Sequence, residues 1–285
     1  MRHPTEHPPR RAVRAVLRSP VAAALAVAVV LAGAGTAAAN DWVPIFRTER
    51  IEPVGVGAAD LVALPDLSTY GDVVVTGGDG PREVPDAAAA KARTGLDVPV
   101  VRTLPRGVAG EPVHQVVGEM TATFTFSADR AGKAAAEAGQ PLPPPPPGLD
   151  GQRVRLVAGP GVAGIWSQPA GVPALVVGRA VAPRALSSGV PYASVRDYLL
   201  TLPGLPDEAA ALLRAFGPER DTLPLPVPAG RFTTSRASVH GVPATVIATR
   251  DRTLAAVVWV DGGVVTAVAG ALDAAEVLAV AGDLR

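Results

Sequence analysis

Gly159-Pro160-Gly161-Val162-Ala163-Gly164 has the spacing G-x-G-x-x-G. In a nucleotide-binding unit that spacing joins a strand to a helix whose first amides hold a pyrophosphate. The chemistry needs the helix. Trp166-Ser167-Gln168-Pro169 follows instead, and Pro169 cannot lie inside a helix. No acidic residue stands about 20 positions on to bind a ribose. A tight turn or loop is therefore expected at 159–164, and no cofactor.

Metal and nucleophile chemistry fare no better. The chain has four histidines and no cysteine. His3 and His7 lie near the N-terminus, and His114 and His240 stand alone in the remainder. None forms H-x-x-x-H or H-E-x-x-H, and no thiolate is available to complete a zinc site. His240, beside Gly241, reads as a turn or strand-end residue; His114 reads as an exposed strand position. Ser187, Ser188 and Ser235 are outside any G-x-S-x-G elbow. Asp207-Glu208 and Asp273/Glu276 have the spacing of helix-start residues. Asp261 is expected in a hairpin turn, and Arg250-Asp251-Arg252 in a solvated one. No catalytic, cofactor-binding or metal-ligating residue is assigned, and the chain is expected not to be an enzyme.

The elements around these residues are more legible. A short helix is expected over Ala58 to Leu64, and Val73-Val74-Val75 reads as a buried strand. Asp86 can cap a helix running through Arg93, with Gly95 as the left-handed residue that closes it. Thr121 to Ser127 alternates Thr121, Thr123 and Thr125 with Ala122, Phe124 and Phe126, the pattern of a half-buried strand. A helix from Asp129 to Ala138 stops at Gly139. Arg153 to Ala158 and Ala174 to Val181 read as strands, and Ser194 to Leu202 as a helix. Another helix begins at Pro206, with Leu212, Leu213 and Phe216 on its apolar stripe.

Ala244–Thr249, Leu254–Val260 and Val264–Ala269 then form an antiparallel meander, with Asp261-Gly262 as a hairpin signal. The last helix starts at Asp273, where Glu276 completes a capping box and Leu272 can staple onto Val277. These elements predict an α+β fold: an N-terminal transmembrane helix, an antiparallel β-sheet packed with helices, and a C-terminal β-meander plus capped helix.

The N-terminal part carries an address. Val21 to Ala39 holds no charged residue, and Arg10, Arg11, Arg14 and Arg18 lie just before it. The run is at the short end of what a bilayer-spanning helix needs. Basic residues on its N-terminal side favour keeping that side in the cytoplasm. Ala37 and Ala39 also fit the small-x-small pattern of signal cleavage. Two expectations follow: a single-pass signal-anchor with the remainder extracytoplasmic, or a secreted chain after cleavage. Without cysteine, a lipid-modified N-terminus is excluded.

The domain plan is then a short basic cytoplasmic tail at 1–19, the anchor or signal segment at 20–40 and a stalk at 41–57. A first extracytoplasmic α+β portion covers 58–140, a Pro-rich linker 141–150 and a second α+β portion 151–285. Pro143 to Pro147 form the extended run that divides the two portions, as a linker or a stiff strap. The net charge is zero. Residues 1–19 carry five arginines against Glu6, so the remainder is acidic by four charges. That balance gives no reason to expect nucleic acid as a partner. Hydrophobic residues make up 48% of the chain, enough for a core without disulfides.

Two stretches resemble a bacterial, actinobacterial-type domain family of unknown function, found on the extracytoplasmic side of anti-sigma-factor-like membrane proteins. The first is Val84-Pro85-Asp86-Ala87 through Gly95-Leu96-Asp97-Val98-Pro99-Val100, then Leu104-Pro105-Arg106-Gly107. The second is Val257-Val258-Trp259-Val260-Asp261-Gly262-Gly263, then Val268-Ala269-Gly270-Ala271-Leu272-Asp273. Leu202-Pro203-Gly204-Leu205-Pro206 and Thr222-Leu223-Pro224-Leu225-Pro226-Val227-Pro228 are similar to actinobacterial-looking members as well. The resemblance implies a membrane-tethered regulatory domain linked to envelope or sigma-factor signalling. This chain's tail lacks the Cys residues of a zinc-stabilised sigma-binding domain. The expected role is a non-enzymatic binding or sensing module whose partners are the membrane and an envelope protein or apolar ligand. The alternatives are an exported carrier of lipid-like ligands and an unrecognised hydrolase.

Overall fold

Three sheets dominate the described residues, and each of them draws strands from distant parts of the sequence. The computed structural model describes residues 42–56, 67–168, 173–202, 205, 210, 214, 221–228 and 230–285. In chain order its strands are β1 (Val43–Arg47), β2 (Arg50–Val56), β3 (Gly71–Gly77), β4 (Arg82–Val84), β5 (Val113–Val117), β6 (Met120–Phe126), β7 (Arg153–Ala158) and β8 (Gly161–Ser167). They continue with β9 (Pro173–Val181), β10 (Arg184–Ser187), β11 (Thr222–Pro228), β12 (Phe232–Val239), β13 (Val242–Thr249), β14 (Ala255–Asp261) and β15 (Val264–Gly270). The helices are α1 (Ala87–Thr94), α2 (Ala128–Glu137), α3 (Tyr192–Leu199) and α4 (Ala274–Asp283).

An eight-stranded sheet runs β12-β13-β14-β15-β9-β8-β5-β4, antiparallel throughout. A five-stranded antiparallel sheet runs β1-β10-β7-β6-β3. The two are joined by short bends. Gly118-Glu119 links β5 to β6, the cis Gly159-Pro160 bond sits between β7 and β8, and Ala182-Pro183 links β9 to β10. Each pair has one strand in either sheet, so one ribbon of strands passes from the large sheet into the small one.

β2 and β11 form a parallel pair. Leu223, Leu225 and Val227 of β11 are buried against Ile247, Val258, Val260 and Val265 of the large sheet. The alternating Pro224, Pro226 and Pro228 lack amide donors and are tolerated because, among the described residues, one edge of β11 has no neighbouring strand. On the opposite face of the large sheet, α4 places Val277, Val280 and Ala281 against Val246, Val257, Trp259 and Val268. Both faces of β14 are therefore covered, which is why its sequence is an apolar run rather than an alternation.

The capping box of α4 is complete. The Asp273 carboxylate accepts from the Ala275 and Glu276 amides at 2.8 and 2.9 Å, and Glu276 accepts from the Asp273 amide at 2.9 Å. Asp86 caps α1, accepting from the Ala89 amide, and Gly95 closes that helix with φ at 72°. The small sheet buries Phe124 and Phe126 of β6 under Ala131 of α2 and Val195, Tyr198 and Leu199 of α3. The Phe126 and Tyr198 rings meet edge to face at 5.6 Å. The proline run at 143–147 lies alongside, where the Tyr198 hydroxyl donates to the Pro143 carbonyl at 3.1 Å.

Several expectations are corrected. The fold is mostly β-sheet rather than α+β: strand takes 45% of the described residues and helix 19%. Segments read as turn or punctuation carry the difference. The Gly-rich 161–164 belongs to β8, and the Pro-rich 222–228 is β11. The expected transmembrane helix and signal-anchor are not carried forward, since among the described residues no helix is long and apolar enough to cross a membrane. The longest of these helices have ten residues, about 15 Å against a hydrocarbon core of about 30 Å. Val21 to Ala39 itself lies outside the described residues, as do the helix expected at Ala58 to Leu64 and most of the one expected from Pro206. The segment read as a stalk contains β1 and β2. Val73, Val74 and Val75 are exposed on the edge strand β3 instead of buried, at 46, 55 and 57%.

Candidate functional site

Cross-strand register sets a row of side chains on the helix-covered face of the large sheet. Ala244 pairs with Trp259, Trp259 with Thr266, Thr266 with Arg179, Arg179 with Val162, and Val162 with Val116. Directly paired residues point to the same face. α4 covers the Ala244–Trp259 end of the row. α1 covers the Val162–Val116 end through Ala90. The middle of the row, Thr266 and Arg179, lies between the two helices and floors a cavity of about 330 Å³.

The walls are apolar: Leu96 follows α1, Leu284 follows α4, and Val239, Val242 and Val264 come from hairpin ends. The mouth is polar, with Asp97, His240 and Asp261. Local backbone explains these placements. His240-Gly241 and Gly262-Gly263 are two-residue hairpin turns with all four φ angles positive, the geometry that matches strand twist. They set His240 and Asp261 beside each other at the ends of neighbouring hairpins. Gly95 turns the chain after α1, and Asp97 pairs with Lys91 at 2.7 Å.

The floor is electrostatically incomplete. Thr266 is only 5% exposed and Arg179 is half-buried. Among the described residues neither the Thr266 hydroxyl nor the Arg179 guanidinium has a hydrogen-bond or ion-pair partner. Their polar groups therefore face the cavity unpaired, next to each other across β9 and β15, where a ligand could accept from both.

A second polar surface lies on the small sheet. Arg153 and Arg155 of β7, Arg184 of β10 and Arg47 of β1 share one face, and Arg47 stands directly opposite Arg184. Trp42 stacks on this group, 4.0 Å from the Arg155 guanidinium carbon. Burial pushes the Glu119 carboxyl above its usual range, and the charge of Arg184 pulls it partly back. Glu119 offsets part of the charge of this face.

The sequence candidates fall as follows. Within the Gly-rich motif, Gly159-Pro160 makes the bend and Gly161 to Gly164 lie in β8. A Cβ on Gly161 would meet the Val117 side chain at 2.9 Å, so the glycine serves strand packing. His114 is half-buried in β5, opposite Val84 and Gly164. His240 stands at the cavity mouth, far along the chain from it. The Ser187 hydroxyl donates to the Val190 carbonyl at 2.9 Å, and that of Ser188 accepts from the Arg153 amide at 3.1 Å. Ser235 lies exposed on the edge strand β12. Asp207 and Glu208 lie outside the described residues. Among the described residues no group of three His, Asp or Glu side chains could hold a metal ion.

Sequence reading missed Arg179 and Thr266. Their signal was a lone cation in Leu175-Val176-Val177-Gly178-Arg179-Ala180-Val181 and a lone hydroxyl in Val264-Val265-Thr266-Ala267-Val268. Polar residues inside otherwise apolar strands are informative, but only the register shows that these two are neighbours. Comparison with protein-family models, with curated proteins and with solved structures finds no match, so no family is assigned to the chain.

Proposed function

We propose that the protein is an extracytoplasmic, non-enzymatic binding module that seats a small ligand in the cavity between α1 and α4. One observation carries this reading: Arg179 and Thr266 lie side by side on the cavity floor with no partner among the described residues. A guanidinium and a hydroxyl set together in an otherwise apolar-walled concavity can anchor a ligand's acceptor atoms. Export is supported by the arginine-flanked uncharged run at residues 21–39, read as a secretion signal. A regulatory role beside an envelope signalling protein follows from the sequence resemblance.

The cavity counts against the lipid-carrier alternative. A wholly apolar cargo would bury Arg179 without compensation.

Thermal unfolding of the full chain against a panel of extracellular metabolites tests the binding reading, with Val264→Trp as a cavity-filled control. At about a hundredfold excess over Kd, a true ligand contributes about 2.7 kcal/mol. That corresponds to a rise in Tm of about 5 °C or more for a chain of this size. The wild type should respond to at least one compound class and the filled variant to none. Equal responses of both proteins to every class would overturn the assignment.

A further inference from the structure

We infer that the cavity selects a small monocarboxylate carrying an apolar body, with the carboxylate against Arg179 and Thr266. The inference rests on the binding reading above and adds the ligand's chemistry.

Three features converge on it. The floor presents a guanidinium fork, which only donates, and a hydroxyl that can donate, adjacent across β9 and β15. A carboxylate accepts from both, and Arg binds a carboxylate through two parallel hydrogen bonds. The walls accept an aliphatic or aromatic body, since Trp259, Leu96 and Leu284 contribute apolar surface. The mouth discriminates. Asp97 is paired with Lys91, but Asp261 places a carboxylate at the entrance, where a second negative charge on the ligand would meet like charge. A phosphate ester or a dicarboxylate is thereby disfavoured, and one anionic group that passes the mouth and reaches Arg179 is favoured. The volume, about 330 Å³, lies at the lower end of ligand sites, which limits the guest to a compact molecule.

The test uses three probes with one phenyl body: phenylacetate, 2-phenylethanol and phenyl phosphate. They are titrated into the full chain by calorimetry, with amide resonances of β9 and β15 as the local readout. Phenylacetate should bind and shift those resonances. 2-Phenylethanol should bind at least about tenfold more weakly, the loss expected for a charge-assisted hydrogen bond. Phenyl phosphate should also be weaker than phenylacetate. Arg179→Gln should bring phenylacetate down to the level of the alcohol. Arg179→Lys keeps the charge without the fork and should lose part of the preference. Equal affinity for acid and alcohol in the wild type would overturn the carboxylate inference while leaving the cavity a binding site. A preference for phenyl phosphate would overturn the role given to Asp261. Absence of binding by all three probes, with Val264→Trp behaving as wild type against the metabolite panel, would overturn both readings.

Discussion

The Arg155 guanidinium carbon lies 4.0 Å from the centroid of the Trp42 ring, and that of Arg153 lies 5.1 Å away. Trp42 also packs against Val157 and Leu186, so the ring joins the entry of β1 to the middle of the small sheet. Trp42→Ala should cost about 2 kcal/mol, less than truncation of a fully buried tryptophan because the ring is half-buried. Arg155→Gln should cost about 1 kcal/mol, the size of a partly desolvated cation–π contact. A double-mutant cycle followed by urea unfolding and circular dichroism should give a coupling of about 1 kcal/mol. A coupling of zero would mean that the ring is held by apolar packing alone.

Two carboxylates should give opposite pH dependences. Hydrogen bonds from Thr249 and then Thr253 hold Asp251 below its ordinary value of 3.8. Its contribution is present above that value and is lost as pH falls through the lower folded-state value. Glu119 is raised above its ordinary 4.5, chiefly by burial. Its contribution is complete below 4.5 and disappears as pH rises through the higher folded-state value. Asp251→Asn should therefore flatten the acid limb of stability, and Glu119→Gln should remove a decline above pH 4.5. Urea midpoints measured from pH 2 to 7 would show both slopes.

Backbone clearance and helix capping should differ in size. A Cβ on Gly270 would overlap the carbonyl oxygen of Ala174 in the paired strand β9. Gly270→Ala should cost about 3 kcal/mol, at the upper end of overpacking. Asp273→Ala removes only the cap of α4 and should cost about 1 kcal/mol. Equal losses in chemical unfolding would argue against this ranking.

The apolar edge of the small sheet should drive self-association. Val74 is exposed on β3, and Leu156 with Val75 extends the apolar surface on the opposite face. An edge strand of this kind, with no neighbour on its outer side among the described residues, invites pairing with another chain. Val74→Lys should change stability by less than about 0.5 kcal/mol and lower light scattering at high concentration. Unchanged scattering would locate association elsewhere.

Local signals were readable where the physics is local. Asp86 and Gly95 bracket α1, Asp273 and Glu276 cap α4, and the alternation of β6 separates threonines from phenylalanines. What remained hidden depends on partners far along the chain. Gly161 to Gly164 resemble a loop until β5 and β9 pair on either side. Pro224, Pro226 and Pro228 argue against a strand until β2 supplies the single neighbour it needs. Val73 to Val75 are apolar enough for a core, but among the described residues no strand lies beyond β3. The candidate site is of this second kind. Arg179 and Thr266 are separated by most of the second half of the chain and become neighbours only through register.

The parallel pairing of β2 with β11 ties Arg50 to Thr222 across more than half of the chain. Closing so long a loop is entropically unfavourable before its contacts reward it. Assembly of this protein should accordingly be slow, with the meander and α4 forming early as a local unit. The proline-studded strand would dock last, acting as a latch that fastens the early and late parts of the polypeptide together.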